Sequence, residues 1–119
     1  PLKYNLADGI TVLVGKNNKE NDVLTLKTAT KQDMWLHTKD IPGSHVIVQN
    51  FGEELSEEII YQAAAIAAYH SKARTSENVP VDYVKIKYVK KPAGAKPGMV
   101  IFTNNKTVWV NPKLPNNKL

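Results

Sequence analysis

The feature that most constrains the fold is a helical segment with almost no polar side. Ser56 can cap its first turn, Glu57 and Glu58 complement the helix dipole there, and the helix is predicted to end near Lys72. Between residues 59 and 68 the segment is rich in isoleucine and alanine. A helix that is apolar around most of its perimeter is buried on more than one side, and alanines let its backbone lie close to a sheet. We therefore predict one long helix packed across a sheet.

The remaining segments predict strands joined by turns. Asp8-Gly9 between two apolar runs is a hairpin signal, and Asn21 or Asp22 can cap a short helix over residues 23–30. The longest strand is predicted over residues 81–89. Further strands are expected over residues 4–6, 10–14, 34–37, 46–48, 99–103 and 107–110, the last two around a turn at Asn104-Asn105. The expected fold is α+β, with a mostly antiparallel sheet of six or seven strands, one long helix and one short helix.

Length and composition limit the class of protein. A chain of 119 residues suits one domain, here residues 1–119, of which 112–119 are expected to fray. It begins with Pro1, so we expect a fragment of a larger protein. The absence of cysteine excludes disulfides and thiolate metal sites. No run of 18 apolar residues occurs, so no membrane insertion is expected.

Charge is unevenly distributed along the chain. The net charge is +5, but residues 1–71 hold six lysines and nine acidic residues, a balance of −3. Residues 72–119 hold ten basic and two acidic residues, a balance of +8. A basic half favours a polyanionic partner such as nucleic acid, through steering and counterion release. The alternative is a solvated basic surface that keeps the protein soluble.

Residues 33–48 concentrate side chains typical of a binding site. Trp35 and His37 share one side of a predicted strand, and Pro42-Gly43 is a turn signal, so this region reads as two strands joined by a tight turn. The backbone amides of Ser44 and His45 follow a glycine and can converge into an anion-binding nest. Trp and His can also stack on nucleobases. The alternative is a buried Trp with two histidines that bond backbone partners.

Enzymatic and metal sites are weakly supported by the same residues. His37 and His45, with Asp33 or His70, have no metal-ligand spacing on a helix. A hydrolase built on Ser44 lacks the nucleophile-elbow signature. We expect Asp33 to bond backbone amides or to orient His37. The sequence therefore predicts no catalytic residue, no metal and no cofactor.

A second candidate site lies in the basic half. Lysines alternate with Tyr83 on one face of the predicted strand over residues 81–89, and a basic loop rich in Pro and Gly follows. The alternative is an edge strand that lysines protect from aggregation. Because the loop extends the same charge, we favour nucleic acid. The lysines concerned are Lys85, Lys87, Lys90, Lys91 and Lys96.

The ordered set of short motifs resembles one known family. The motifs are Val14-Gly15-Lys16-Asn17-Asn18, Asn21-Asp22, Asp33-x-Trp35-x-His37, Pro42-Gly43-Ser44-His45-Val46, the alanine-rich helix, Val89-Lys90-Lys91-Pro92 and Lys96-Pro97-Gly98. Over residues 3–112 the chain resembles the NFACT-R domain, the C-terminal module of the family of fibronectin-binding protein A, RqcH and NEMF.

The resemblance implies a role in ribosome-associated quality control. Members of this family bind the stalled large ribosomal subunit and recruit aminoacyl-tRNA, chiefly alanyl-tRNA in bacteria, for C-terminal alanine tailing. The ribosome makes the peptide bond, so the module is expected to bind and position RNA in the cytoplasm and to catalyse nothing. Some members are described as fibronectin-binding surface adhesins of Gram-positive bacteria, and this is the alternative function, with a cell-surface location.

The residues and the resemblance together define an expected RNA-binding set. Phosphate contacts are expected from the basic residues of the second half, and a shaped pocket from the motif of residues 33–48. Asp33 and Pro42 are expected to be structural. The expected RNA-binding residues are Lys16, Asn17, Asn18, Trp35, His37, Gly43, Ser44, His45, Arg74, Lys85, Lys87, Lys90, Lys91 and Lys96.

Overall fold

The computed structural model describes residues 1–116, apart from the side chain of Asp8. Of the segment 112–119 that the sequence predicts to fray, residues 117–119 lie outside this range. Within the described part, the amide of Lys113 donates a hydrogen bond to the carbonyl of Ala65 at 3.2 Å. The backbone after the last strand therefore runs along the long helix.

A six-stranded antiparallel sheet forms the centre of the domain. The strands are β1 (Leu2–Asn5), β2 (Thr11–Val14), β3 (Met34–Thr38), β4 (Val46–Gln49), β5 (Val79–Lys85), β6 (Val89–Lys90), β7 (Ile101–Phe102) and β8 (Lys106–Val110). Every neighbouring pair in the six-stranded sheet is antiparallel, in the order β1-β2-β4-β3-β5-β8. A two-stranded ribbon, β6 with β7, is separate. The predicted α+β class and sheet size are thus confirmed.

The long helix α2 (Glu57–Tyr69) packs on one face of this sheet. The Ser56 hydroxyl accepts a hydrogen bond from the Ile59 amide at 3.2 Å, which confirms the predicted cap. Ile66 and the five alanines at positions 63–65, 67 and 68 are buried, as expected for a helix that lies close to a sheet. The helix ends three residues before the predicted Lys72, because the Lys72 amide bonds the Pro42 carbonyl instead at 2.9 Å.

The opposite face of the sheet is also covered. Trp35, Ile47 and Val84 point to this side and form a second core with Leu24 and Phe102. The short helix and the β6–β7 ribbon supply this outer layer. Strands buried on both faces read as continuous apolar runs rather than alternating ones, which explains the run Val46-Ile47-Val48.

The short helix begins earlier than the sequence predicts. It is α1 (Asn18–Val23), continued by a π-helical turn over Leu24–Thr28. Asn17 is its cap and accepts from the Glu20 amide at 2.9 Å. The predicted caps have other partners: Asn21 is buried and bonds the His45 amide, and Asp22 bonds the Gly98 amide. The capping prediction was wrong because both side chains serve tertiary contacts.

The basic half also departs from the prediction. The strand expected over residues 81–89 stops at Lys85, and Ile86–Tyr88 form a 3₁₀ turn. Tyr83 packs on the core beneath α2, so it does not share an exposed face with Lys87. The two strands expected around Asn104-Asn105 belong to different sheets, since β7 pairs with β6 and β8 pairs with β5. Asn104 does adopt a left-handed conformation, with φ 61°.

Candidate functional site

The connection between β3 and β4 is longer than the predicted tight turn. The two strands pair from Met34 with Val48 to Leu36 with Val46, and residues 39–45 join them. Asp40 carries the positive φ of this connection, 55°. Gly43 is required by close approach, because a Cβ there would lie 2.8 Å from the Ser71 Cβ. The connection is thus pressed against the end of α2.

The backbone amides of this connection are already occupied. The Ser44 amide donates to the His70 carbonyl at 2.9 Å, and the His45 amide donates to Asn21 Oδ1 at 3.0 Å. The anion-binding nest expected from these amides therefore does not form within the described chain. The same bonds fix the connection to α1 and to the end of α2.

His45 is buried, with 2% of its surface exposed, and both ring nitrogens are bonded. The Trp35 indole N–H donates to His45 Nδ1 at 3.2 Å, and the Thr25 hydroxyl lies 2.7 Å from the same nitrogen. An indole N–H only donates, so Nδ1 is an acceptor and Nε2 carries the proton. That proton reaches the Gly98 carbonyl at 3.0 Å. Burial lowers the pKa of His45 to about 4, which keeps the ring neutral.

This arrangement gives Trp35 and His45 positioning roles. Trp35 is 1% exposed, so its ring is closed to stacking by an outside base in this conformation. His37 differs, because it is half-buried and stacks against Trp35 with ring centroids 5.8 Å apart. Burial lowers the pKa of His37, opposed chiefly by the nearby Asp82 carboxylate. Of the three aromatic motif residues, His37 is the one placed to meet a ligand.

A cleft of about 420 Å³ opens beside His37. Its lining comes from the end of β3 and its connection, including Pro42 and Gly43, and from the segment that contains Met99 and Phe102. A groove of about 610 Å³ adjoins it and shares Asn18, Pro42 and Gly43 with it. These two depressions bring together most of the motif residues predicted from the sequence.

The groove combines polar backbone with basic side chains. Six residues expected to bind RNA line it: Lys16, Asn17, Asn18, Gly43, Ser44 and Arg74. The Arg74 guanidinium lies 4.2 Å from the centroid of the Tyr69 ring, and its Nε donates to the Tyr69 carbonyl at 2.6 Å. Lys72, which the sequence analysis did not assign, lies in the same groove. Its position next to Arg74 after a buried helix was the signal that would have identified it.

The basic loop, residues 91–98, is attached to α1 through Lys91. The Lys91 ammonium lies 3.3 Å from Asp22 Oδ2 and donates to the carbonyls of Lys96 and Met99 at 2.6 and 3.2 Å. Gly98 closes the loop, and its amide donates to Asp22 Oδ1 at 3.0 Å. Lys91 is therefore occupied within the protein. Lys90 and Lys96 have exposed side chains.

Three predicted residues lie at the other end of β3. Lys85 pairs in register with Met34, and its ammonium bonds Gln32 at 3.2 Å. The Lys87 amide donates to the Lys31 carbonyl. Asp33 is fully buried at this end and accepts from the amides of Thr30 and Phe51 at 2.8 and 3.0 Å. The residues that the sequence predicted for RNA binding or for support of the site are thus divided between the two ends of β3.

A match to a family model identifies the family. Residues 2–104 match the model described as NFACT protein RNA binding domain. The chain belongs to this family. The resemblance inferred from the motifs is confirmed, and an RNA-binding role linked to ribosome-associated quality control is supported.

Individual relatives of this NFACT RNA-binding domain support the same family assignment. It is 55% identical over 109 residues to the Rqc2 homolog RqcH of Bacillus subtilis (strain 168), covering 92% of the chain and 19% of that protein. It is 49% identical to the Rqc2 homolog RqcH of Streptococcus suis, covering 94% of the chain and 20% of that protein. The chain thus spans about a fifth of the length of these curated relatives.

A solved structure has the same fold. It is described as the C-terminal of the fibronectin/fibrinogen-binding protein from Streptococcus suis. The TM-score is 0.89 at 47% sequence identity, covering 95% of this chain and 45% of that chain. Among residues 1–116 of the NFACT RNA-binding domain, no helix has the length and apolar character needed to cross a membrane.

Proposed function

We propose that this domain binds tRNA at the large ribosomal subunit and positions it for template-free alanine tailing of a stalled nascent chain, without catalysing a reaction itself. The observation that carries the proposal is the groove, where Lys16, Lys72 and Arg74 surround the motif residues Asn17 and Gly43. Basic side chains beside exposed polar backbone are what phosphate contacts require. Family membership supports RNA as the polyanion. Because ribosomes act in the cytoplasm, the proposed location of this role is the cytoplasm.

Salt dependence tests the phosphate contacts. Neutralising about four phosphates gives a slope near −3 in a plot of log affinity against log salt for RNA. We expect tRNA binding by the isolated domain to follow that slope. Binding that ignores salt would contradict the proposal, because phosphate contacts cannot be salt-independent.

Charge reversal locates the contacts on the surface. The groove variant Lys72→Glu/Arg74→Glu is expected to weaken tRNA binding at least about tenfold and to reduce the salt slope by about 2. Lys85→Glu/Lys87→Glu makes the same charge change at the far end of β3 and serves as the matched control. If only the variant Lys85→Glu/Lys87→Glu loses tRNA binding, the RNA interface lies at the end of β3 near Lys85 instead. Lys90→Glu tests the exposed side of the ribbon without disturbing Lys91.

Fibronectin binding is a second candidate function. The name of the similar Streptococcus suis structure, a fibronectin/fibrinogen-binding protein, favours it. This function predicts saturable fibronectin binding that tRNA does not compete with and that Lys72→Glu/Arg74→Glu leaves intact. Loss of fibronectin binding in the groove variant would instead indicate a non-specific charge effect.

A further inference from the structure

The cleft beside His37 differs chemically from the basic groove that it adjoins. Its lining is largely apolar and includes Ile41, Pro42, Met99 and Phe102. Phe102 is half-buried, and its ring lies 4.9 Å from that of Trp35, centroid to centroid. Apolar and aromatic side chains suit the faces of a flat ring. The lining of the cleft thus suits a base rather than a phosphate.

The polar wall of the cleft carries a buried carboxylate. Asp82 is 4% exposed and lies opposite His37 on the neighbouring strand, so both side chains are on one face of the sheet. Its Oδ1 accepts from Asn105 at 3.0 Å and from the Thr107 hydroxyl at 2.7 Å, and lies 3.8 Å from the Lys39 ammonium. Its Oδ2 accepts no hydrogen bond from residues 1–116.

Other polar side chains also line the cleft. The His37 ring bonds no other side chain within the described residues but interacts with the backbone of Thr38 and Gly43, and Asp40 has an exposed side chain. Among the described residues no side-chain oxygen or nitrogen is both buried and unpartnered, so Asp82 Oδ2 is open to solvent at the cleft. A ligand that fills the cleft displaces this solvent and has to supply a hydrogen-bond donor in its place. Two carboxylates also disfavour a phosphate at this position.

We propose that this cleft binds one unstacked nucleobase that carries an exocyclic amino group, with Asp82 Oδ2 accepting a hydrogen bond from that amino group and Phe102 packing on the ring. Adenine, cytosine and guanine have such an amino group. Uracil has no exocyclic amino group. Its one edge donor, the ring N3–H, lies between two carbonyl oxygens that would be set against the carboxylate. The inference deepens the proposed RNA binding and rests on it, since it names the kind of nucleotide that the domain selects.

Uncharged nucleosides test the cleft separately from the groove. In amide NMR spectra of the domain, adenosine, cytidine and guanosine are expected to shift the Trp35 indole N–H and the Gly98 amide. Uridine is expected to bind about tenfold more weakly, the discrimination that one base-reading contact supplies. Equal shifts with all four nucleosides, or no shift at millimolar concentration, would overturn the proposal.

A substitution at Asp82 tests the role of the carboxylate. Asp82→Asn keeps an oxygen for Asn105 and Thr107 and replaces Oδ2 by a donor, so the preference should change in favour of uridine. Glu77→Gln removes the same charge from an exposed side chain outside the cleft and should alter affinity less than about twofold. If Asp82→Asn does not fold, Phe102→Leu remains decisive, because it removes the aromatic face from the cleft, keeps an apolar side chain in the second core and should weaken binding of all three amino-bearing nucleosides.

The tRNA measurements separate the two proposals. If tRNA binds through the groove while no nucleoside reaches the cleft, the nucleobase inference is wrong and the proposed function stands. If nucleosides bind selectively but tRNA does not bind at any salt concentration, the proposed function is wrong and the cleft selects a free base.

Discussion

His45 shows how one side chain connects three parts of the domain. Its backbone amide bonds Asn21 of α1, its Nδ1 accepts from Trp35 of β3, and its Nε2–H reaches Gly98 of the basic loop. The bond from Trp35 requires an unprotonated Nδ1, and therefore a neutral ring with the proton on Nε2. Protonation of Nδ1 would set a donor against the Trp35 N–H. The network is therefore stable only while the imidazole is neutral.

This network predicts an acid-dependent loss of stability. Burial lowers the pKa of His45 from 6.5 to about 4, so between these values the unfolded chain binds a proton that the folded chain does not. Stability is full above pH 6.5 and falls as the pH decreases toward 4. From pH 8 to pH 5 this costs about 2 kcal/mol for His45 alone.

Denaturant unfolding of His45→Gln across this pH range measures the effect. The variant should be less stable at pH 8 and should show about 2 kcal/mol less pH dependence than the original chain. His70→Gln is the comparison for a half-buried histidine outside the network. Burial lowers the pKa of His70 as well, so this variant should also lose pH dependence, but less than His45→Gln. Identical pH profiles for the original chain and His45→Gln would contradict the assignment.

Substitution of Lys91 is predicted to destabilise the domain, whereas substitution of the adjacent Lys90 is predicted to leave its stability almost unchanged. Lys91→Met removes three bonds of an ammonium whose side chain is 23% exposed, and should cost about 1–2 kcal/mol of unfolding free energy. It should also make residues 92–97 sensitive to protease, since the loop loses its attachment to Asp22. Lys90→Met should change stability by less than about 0.5 kcal/mol. Urea unfolding and limited proteolysis would measure both effects, and equal stability of the two variants would contradict this role for Lys91.

The sequence identified these residues by type but not by environment. Trp35, His45 and Lys91 were assigned to RNA because aromatic and basic side chains are typical of such sites. Their burial depends on the ribbon and on α1, which meet β3 from distant parts of the chain. Asp82 was missed for the same reason, since an aspartate within a strand carries no local signal of a cleft.

At the scale of elements, the connection over residues 39–45 depends on close packing at Gly43. Gly43→Ala should cost about 1–3 kcal/mol, as overpacking does, because its Cβ would lie 2.8 Å from the Ser71 Cβ and 2.9 Å from Thr38 Oγ1. Ser44→Ala is the matched control and should be nearly neutral, because the Ser44 side chain forms no hydrogen bond within residues 1–116. Thermal unfolding of the two variants measures the difference, and a neutral Gly43→Ala would show that the connection can move.

The elements themselves differ in how far local pattern predicts them. The cap at Ser56 and the apolar middle of α2 are local, so its start was predicted correctly. The start of α1 was misplaced because Asn17, Asn21 and Asp22 are all good caps by type, and tertiary contacts decide among them. The pairing of β7 with β6 rather than β8 likewise depends on long-range contacts.

At the scale of the whole molecule, the edge strand β8 completes the fold although the family match ends at residue 104. It pairs with β5 from Val79 with Val110 to Tyr83 with Lys106, and supplies Thr107 to Asp82. A chain ended after Asn104 should therefore lose cooperative unfolding, because β5 loses its outer neighbour.

A chain ended after Pro112 keeps β8 and serves as the control. Its far-ultraviolet circular dichroism and thermal transition should resemble those of the full chain. A cooperative transition in the chain ended after Asn104 would show that β8 is dispensable.

The internal hydrogen bonds of the motif also bear on how domains of this kind can diverge. His45, Asn21, Asp33 and Lys91 satisfy one another or the backbone, so selection for a stable scaffold alone would preserve them. The groups open to a ligand, such as Lys72 and the residues of the cleft, can change without disturbing that scaffold. Homologues that share every motif therefore share an architecture, and their ligands can differ through exposed side chains alone.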